Sequence, residues 1–377
     1  MPIHLKILLK ASGFELNKYV YEQWLLHTFF IFSFLIILII VFILFYLLYK
    51  ETRHQRCLVL QQKFNDFISE IAIAESKEEL EQIYLQPTSR EILLKYQKTR
   101  LDRNLLITQL AETCKKFSGV TLSNIHWLFG KLQLEKELLH NLNNVRWYIK
   151  AKAVQQLAYL KQQNHIKGIF QLTNHKNNQL RMEAQVAIVK LTGFEGLQFL
   201  DVVKYPVSEW QQLRLIQELS GHSVEKPGNI NGWLKSKNNS VAGFALRLIE
   251  IYRLYEFYDE VTECLSHPCP SVCSKAVATI GQISNETTAR LLTSHYPGYN
   301  ENIQLQVLKM LQSLGTGNEI NFLLSLINNA NDTFKVEAAK AILHINATGI
   351  EKIKELGDEN SHPINYILPQ LKMENII

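Results

Sequence analysis

The chain has 377 residues, 47% of them hydrophobic, and its 40 Lys and Arg against 35 Asp and Glu leave a formal net charge of +5. So small a surplus argues against a dedicated nucleic-acid binder. The five cysteines, Cys57, Cys114, Cys264, Cys269 and Cys273, are odd in number and too sparse for a disulfide framework, and they fit a reducing compartment.

The first predicted element runs from Trp24 to Tyr49 without a formal charge. About 20 apolar residues cross the roughly 30 Å hydrocarbon core of a bilayer. A cleaved leader would need a shorter apolar core and a small-residue cleavage site. Here the run begins only at Trp24, behind a longer N-terminal segment than a leader carries, and it ends in Tyr49-Lys50-Glu51. A core helix would carry a polar face, yet residues 29–48 are apolar all round except at Ser33 and Tyr46. A single-pass transmembrane helix over 24–49 is the expected reading. Tyr19, Tyr21 and Trp24 at one end, and Tyr46 and Tyr49 at the other, place amphipathic rings at headgroup level. Lys50, Arg53, Arg56 and Lys63 after the run outweigh Lys6, Lys10 and Lys18 in the N-terminal segment, 1–23. The positive-inside bias therefore predicts a cytoplasmic C-terminal portion.

Residues 50–142 read as a helical linker and cap. Ser76-Lys77-Glu78-Glu79 and Thr88-Ser89-Arg90-Glu91 carry capping-box signatures, and Pro87 and Gly119 punctuate the segment. Leu60, Phe64, Phe67 and Ile71 form an apolar stripe, expected to be buried against the following helices rather than in a coiled coil. Lys95, Lys98, Arg100 and Arg103, with Lys115 and Lys116, form a basic strip open to phosphates or anionic headgroups, or simply a solvated face. Trp127, Trp147 and Tyr148 flank the start of the next region, either as packing or as a partner-binding patch.

Residues 143–357 repeat. Apolar anchors at Val145, Leu180, Trp210, Val241, Val272, Ile303 and Phe334 open about seven units. The later steps settle at a period of about 31 residues, within the range of helical repeat arrays. Ala184, Ala187 and Leu191 follow Leu180; Ala276 and Ile280 follow Val272; Ala338, Ala341 and Ile342 follow Phe334. Steps of three and four place them on one helix face, and the small alanines let a neighbouring helix approach closely. Second apolar helices are predicted near 169–172, 197–203, 257–265, 320–327 and 350–356. Residues 358–377 form a cap or tail. Four Asn-x-Ser/Thr sequons, at Asn238, Asn285, Asn331 and Asn346, read as chance in so Asn-rich a chain.

Two stacked helices per repeat make an α-solenoid. His267-Pro268-Cys269-Pro270-Ser271-Val272 and the apolar-Arg pairs Val145-Arg146 and Leu180-Arg181 resemble HEAT repeats, whose units turn through Asp-Pro-x-Pro-x-Val-Arg into an Ala-rich helix. The later units lack the Arg. The resemblance implies an all-α fold: a right-handed solenoid of HEAT-like two-helix repeats preceded by one transmembrane helix. In layout the chain resembles bacterial membrane-anchored HEAT-repeat proteins that accompany membrane glycosyltransferases of exopolysaccharide assembly. That implies an inner-membrane scaffold with a protein partner, itself membrane-associated. Chromophore lyases and DNA glycosylases with HEAT-like repeats supply the alternative readings, an accessory enzyme and a nucleic-acid binder.

Chemistry is sparse. The chain has no phosphate loop, no His-Glu-x-x-His, no nucleophile elbow and no glycine-rich dinucleotide turn. Cys264, His267, Cys269 and Cys273 bring metal-ligand types into one short stretch, but their spacing fits no usual zinc knuckle, and each has a place in the repeat turn. No catalytic residue, cofactor, nucleic acid or small-molecule substrate is expected.

Overall fold

The computed structural model describes residues 3–96, 99–222, 228–329, 331–346, 348–356 and 362–373, with side chains left out at 3–23, 95, 96, 329 and 372. Among the described residues the chain is all-α, without a strand. It divides into two compact units, residues 1–137 and 138–377.

In the first unit, α1 (Ile3–Ile73) is one unbroken helix of 71 residues. Neither Gly nor Pro occurs between residues 14 and 73, so nothing in the chain interrupts the hydrogen-bond ladder. From Trp24 to Val59 almost every side chain is exposed, and the helix is long and apolar enough to cross a membrane. Burial begins at Leu60. The stripe of Leu60, Phe64, Phe67 and Ile71 enters a core with residues of α2 (Lys77–Leu85), α3 (Pro87–Tyr96), α4 (Arg100–Lys116) and α5 (Val120–Lys131). The apolar run and the first unit therefore share one helix, with no linker between them.

Ser76 caps α2, accepting from the Glu79 N–H at 3.1 Å. The second expected cap differs. Pro87 occupies the first turn of α3, where its missing N–H costs nothing, so Thr88 and Glu91 lie inside the helix. Thr99 instead caps α4, accepting from Asp102 N–H at 3.2 Å. A further helix, α6 (Glu135–Leu142), spans the boundary of the two units.

Among the described residues, the second unit is a solenoid of seven pairs of helical segments. They are α7 (Trp147–Tyr159) with α8 (Ile166–Gln171), then α9 (Asn178–Thr192) with the 3-10 segment Gly193–Asp201, then α10 (Glu209–Leu219) with α11 (Ile230–Leu234). Next come α12 (Asn239–Tyr252) with α13 (Tyr258–Cys264), α14 (Pro270–Gln282) with α15 (Thr288–His295), α16 (Glu301–Leu314) with α17 (Ile320–Asn329) and α18 (Asp332–Ile345) with α19 (Gly349–Lys354). Helix α20 (Ile364–Met373) packs on α18. First helices stack on their neighbours, α7 on α9, α9 on α10, α12 on α14, α14 on α16 and α16 on α18.

First helices start at Trp147, Asn178, Glu209, Asn239, Pro270, Glu301 and Asp332, so the period is even throughout the unit, the first pair included. Two of the anchors differ from the expected register. Val145 is 97% exposed, ahead of its helix, and Trp210 is 66% exposed. The inward position of α10 belongs to Gln211, one full period after Leu180, where its amide donates to the buried Gln185 side chain. Helices α11 and α15, the partners of α10 and α14, escape the apolar pattern. Elsewhere the register holds, with Ala184, Ala245, Ala276 and Ala338 fully buried.

The sequons have a physical cause. Asn238, Asn285, Asn331 and Asn346 each accept a main-chain N–H two or three residues on through Oδ1, at 2.9–3.2 Å. At three of them the Ser or Thr hydroxyl donates to the same oxygen. With Asn177, Ser208 and Asn300, these are the side chains that start helices and turns.

Candidate interaction surface

Helix α7 buries Ala151, Val154 and Leu157, while Trp147 and Tyr148 in its first turn are 43% and 51% exposed. Their rings meet edge to face, with centroids 5.9 Å apart, and Arg146 donates to the Tyr148 hydroxyl at 3.3 Å. Helix α10 buries Gln211, Gln212, Leu215 and Leu219, which leaves Trp210 and Leu213 outside. The apolar pattern misses Trp210 and Leu213 as surface residues. One strict period counted from α9 finds Trp210, whose equivalent there is the exposed Gln179.

Several charges on these helices pair with one another. Glu183 of α9 accepts from Arg214 of α10 at 3.0 and 3.4 Å and from Gln155 of α7 at 3.4 Å. Lys190 pairs with Glu218 at 2.7 Å and lies over the Tyr159 ring at 4.6 Å. Further along, Lys275 of α14 reaches past α12 to Glu209 of α10 at 3.3 Å, its side chain lying against Gly243. These pairs stitch repeat units together.

Trp127, in the first unit, is half-buried against Tyr84 at 5.8 Å with Lys131 beside both rings. Trp24, Tyr46 and Tyr49 are exposed on α1, whereas the side chains of Tyr19 and Tyr21 lie outside the described residues. So do Lys98 and the side chain of Lys95. Arg100 and Arg103 both bind Glu137, at 2.6 and 3.0 Å, and Lys115 binds Glu112 at 2.7 Å, so this part of the strip is neutralised.

Cys264 and Cys273 are buried, and the Cys273 thiol donates to the Leu265 carbonyl at 3.1 Å. His267 Nδ1 accepts the Cys269 N–H at 3.0 Å, which fixes the turn. Burial pushes the Cys264 thiol up to about 11 and raises that of Cys273, away from the thiolate a metal needs. The Ser271 hydroxyl at 3.3 Å lowers the Cys269 thiol. Among the described residues, no three or more His, Cys, Asp or Glu side chains converge on a point that could hold an ion.

No family model matches the chain, and no curated protein matches it. Solved structures do. The chain is similar to the karyopherin Kap121p, crystallised bound to the SUMO protease Ulp1p, with 13% identity over 79% of this chain and a TM-score of 0.49. It covers 38% of the length of that protein. It is also similar to human deoxyhypusine hydroxylase, with 11% identity, 76% of this chain and 97% of that one, and a TM-score of 0.29. The complex of CpcE and CpcF of phycocyanin lyase from Nostoc sp. PCC7120 matches with 15% identity, 66% of this chain and 92% of that one, and a TM-score of 0.23.

Proposed function

We propose that the chain is a membrane-tethered scaffold whose repeat unit binds a protein partner. The observation that carries this reading is that Trp147, Tyr148 and Trp210 stand in solvent on first helices of the array, while Lys190, Glu218, Glu183 and Arg214 of those helices pair with one another. Trp and Tyr are the residues that most often anchor protein interfaces, because they bury much area for little entropy. The exposed apolar stretch of α1 supports the tether, over residues 24–49. Confinement to one membrane raises the effective concentration of partners in that membrane.

In the finer form of this proposal, the membrane is a bacterial inner membrane and residues 143–357 face the cytoplasm. The partner is then a membrane glycosyltransferase system of exopolysaccharide assembly. The chain acts by holding that partner and performs no catalysis. The test is affinity purification from solubilised membranes with the full chain and with a chain lacking residues 143–377. The full chain alone should retain a membrane protein. Identical protein sets on both would refute the proposal.

A further inference from the structure

First helices of a solenoid run side by side, so their first turns, and the turns that lead into them, gather along one edge. At α7, α9 and α10 that edge is basic. Residues 143–210 hold nine Lys and Arg against four Asp and Glu, a surplus as large as the formal charge of the whole chain. Lys150 is the fourth residue of α7 and Arg181 the fourth of α9, so the two hold the same place in consecutive repeats. Arg181 bends back to the carbonyl of His175 at 2.8 Å and lies over the Tyr205 ring at 4.1 Å. Asn174 accepts the Lys204 N–H at 2.9 Å and brings the turn before α10 against the turn before α9, where Lys176 is exposed. Burial, and then the charges of Lys150, Lys176 and Arg181, hold the His175 imidazole below its usual value, as expected where cations crowd one another.

The carboxylates of this stretch are engaged elsewhere or distant. Glu209 stands at the same edge and pairs with Lys275 at 3.3 Å. Glu183 pairs with Arg214, Asp201 accepts from the Trp233 indole, and Glu195 lies beyond the far end of α9. Among the described residues, Lys150, Lys176 and Lys204 form no ion pair. Two exposed rings bracket them. Tyr148 and Trp210 are each the second residue of their helix, two repeats apart. With neighbouring axes about 10 Å apart, the rings are separated by roughly 20 Å, the length of about six extended residues.

Resting on the reading of the repeat unit as a protein-binding surface, we propose that this edge takes an extended acidic segment of the partner. Its carboxylates meet Lys150, Lys176 and Lys204, and apolar side chains at its ends cover Tyr148 and Trp210. Arg181, held by main-chain carbonyls, acts as a fixed background charge. The rings favour a peptide over single-stranded nucleic acid. Bases need open stacking platforms. Here Arg181 covers one face of Tyr205, and Tyr148 meets Trp147 edge to face. Exposed ion pairs contribute a factor of about two to three each, so three together give on the order of tenfold.

The test follows the fluorescence anisotropy of dye-labelled probes with the full chain in detergent solution. The probe is a run of about six glutamates flanked by leucines, the length set by the distance between the rings. Its controls are the same peptide with glutamine for glutamate and an oligo-dT of equal charge. The acidic peptide should bind about tenfold more tightly than the glutamine peptide, and less so as salt rises. Lys150→Gln/Lys176→Gln/Lys204→Gln should erase that preference with unchanged thermal unfolding. A second variant, Lys176→Glu/Lys204→Glu, alters exposed turn positions alone and should erase it as well. Equal binding of the two peptides, no binding of the acidic one, variants that behave like the parent, or tighter binding of the oligonucleotide would each overturn the proposal. Co-purification from membranes separates it from the broader reading. Full retention of the partner by the triple variant overturns the acidic contact alone, whereas a full chain that retains no more than one lacking residues 143–377 overturns both.

Discussion

The side-chain amide of Asn124 donates a hydrogen bond to the main-chain carbonyl of Ala74 at 2.8 Å. The same nitrogen lies 3.1 Å from the carbonyl oxygen of Ile71. The last carbonyls of any helix lack partners within it, and Ile71, Ala72 and Ala74 are buried at the end of α1, so this amide from α5 closes the end of the long helix. It thereby fixes where α1 stops and where the chain turns back into the first unit. Asn124→Leu keeps the size and removes the donor. It should cost about 1–3 kcal/mol, the range for leaving a buried carbonyl unsatisfied. Denaturant unfolding in detergent solution measures this.

Ala276 and Ala338 are fully buried where first helices stack. A leucine at either has no room without displacing the neighbouring helix, and each substitution should cost on the order of 1–3 kcal/mol. A shift of the thermal unfolding midpoint reads the effect. An unchanged midpoint would mean that the stacking face lies elsewhere.

Much of the second unit is legible in the sequence because tight stacking demands a small residue at one recurring place, and alanine there repeats with the period. The register slips where chemistry replaces the pattern. Gln211 is a polar residue on the inward face, satisfied by Gln185, and an apolar search passes over it for Trp210 beside it. The capping role of the sequon asparagines is hidden for another reason: Asn-x-Ser/Thr is the same string whether it starts a helix or accepts a glycan. Asn124 gives no signal at all, since its partners are main-chain atoms far back in the chain, at the end of α1.

The cysteines should react in an order set by burial and charge. In detergent solution Cys57, exposed on α1, should be labelled first by a thiol reagent, and Cys269 next. Cys114, Cys264 and Cys273 are buried and should react only on unfolding. Mass spectrometry of a timed labelling series gives the order. Early modification of Cys273 would contradict the packing of α14.

Stability should also fall in alkali. The Cys264 thiol, raised by burial from 9.0 to about 11, stays protonated in the fold at pH values where the unfolded chain has lost that proton. Its contribution is therefore present below about pH 9 and is lost as the pH rises toward 11. Cys264→Ala should flatten that part of the profile, as followed by unfolding midpoints in the parent and the variant across that window.

Orientation follows from the basic residues after the apolar run. Lys237 is exposed in the turn before α12. In a chain whose native cysteines are replaced, Lys237→Cys should resist a membrane-impermeant thiol reagent in intact cells and react once the cells are opened. Labelling from outside would place the repeat unit on the other side of the membrane.

On the proposed reading, the chain works through the surface of its repeats. The most direct measurement is quantitative co-purification of the partner with the Trp147→Ala/Tyr148→Ala variant. Both rings are exposed, so unfolding should be unchanged. Loss of an interface aromatic pair should weaken retention by about tenfold or more. Full retention by this variant and by Trp210→Ala, together with a single polar substitution that ends the pathway output while the partner stays bound, would contradict the account.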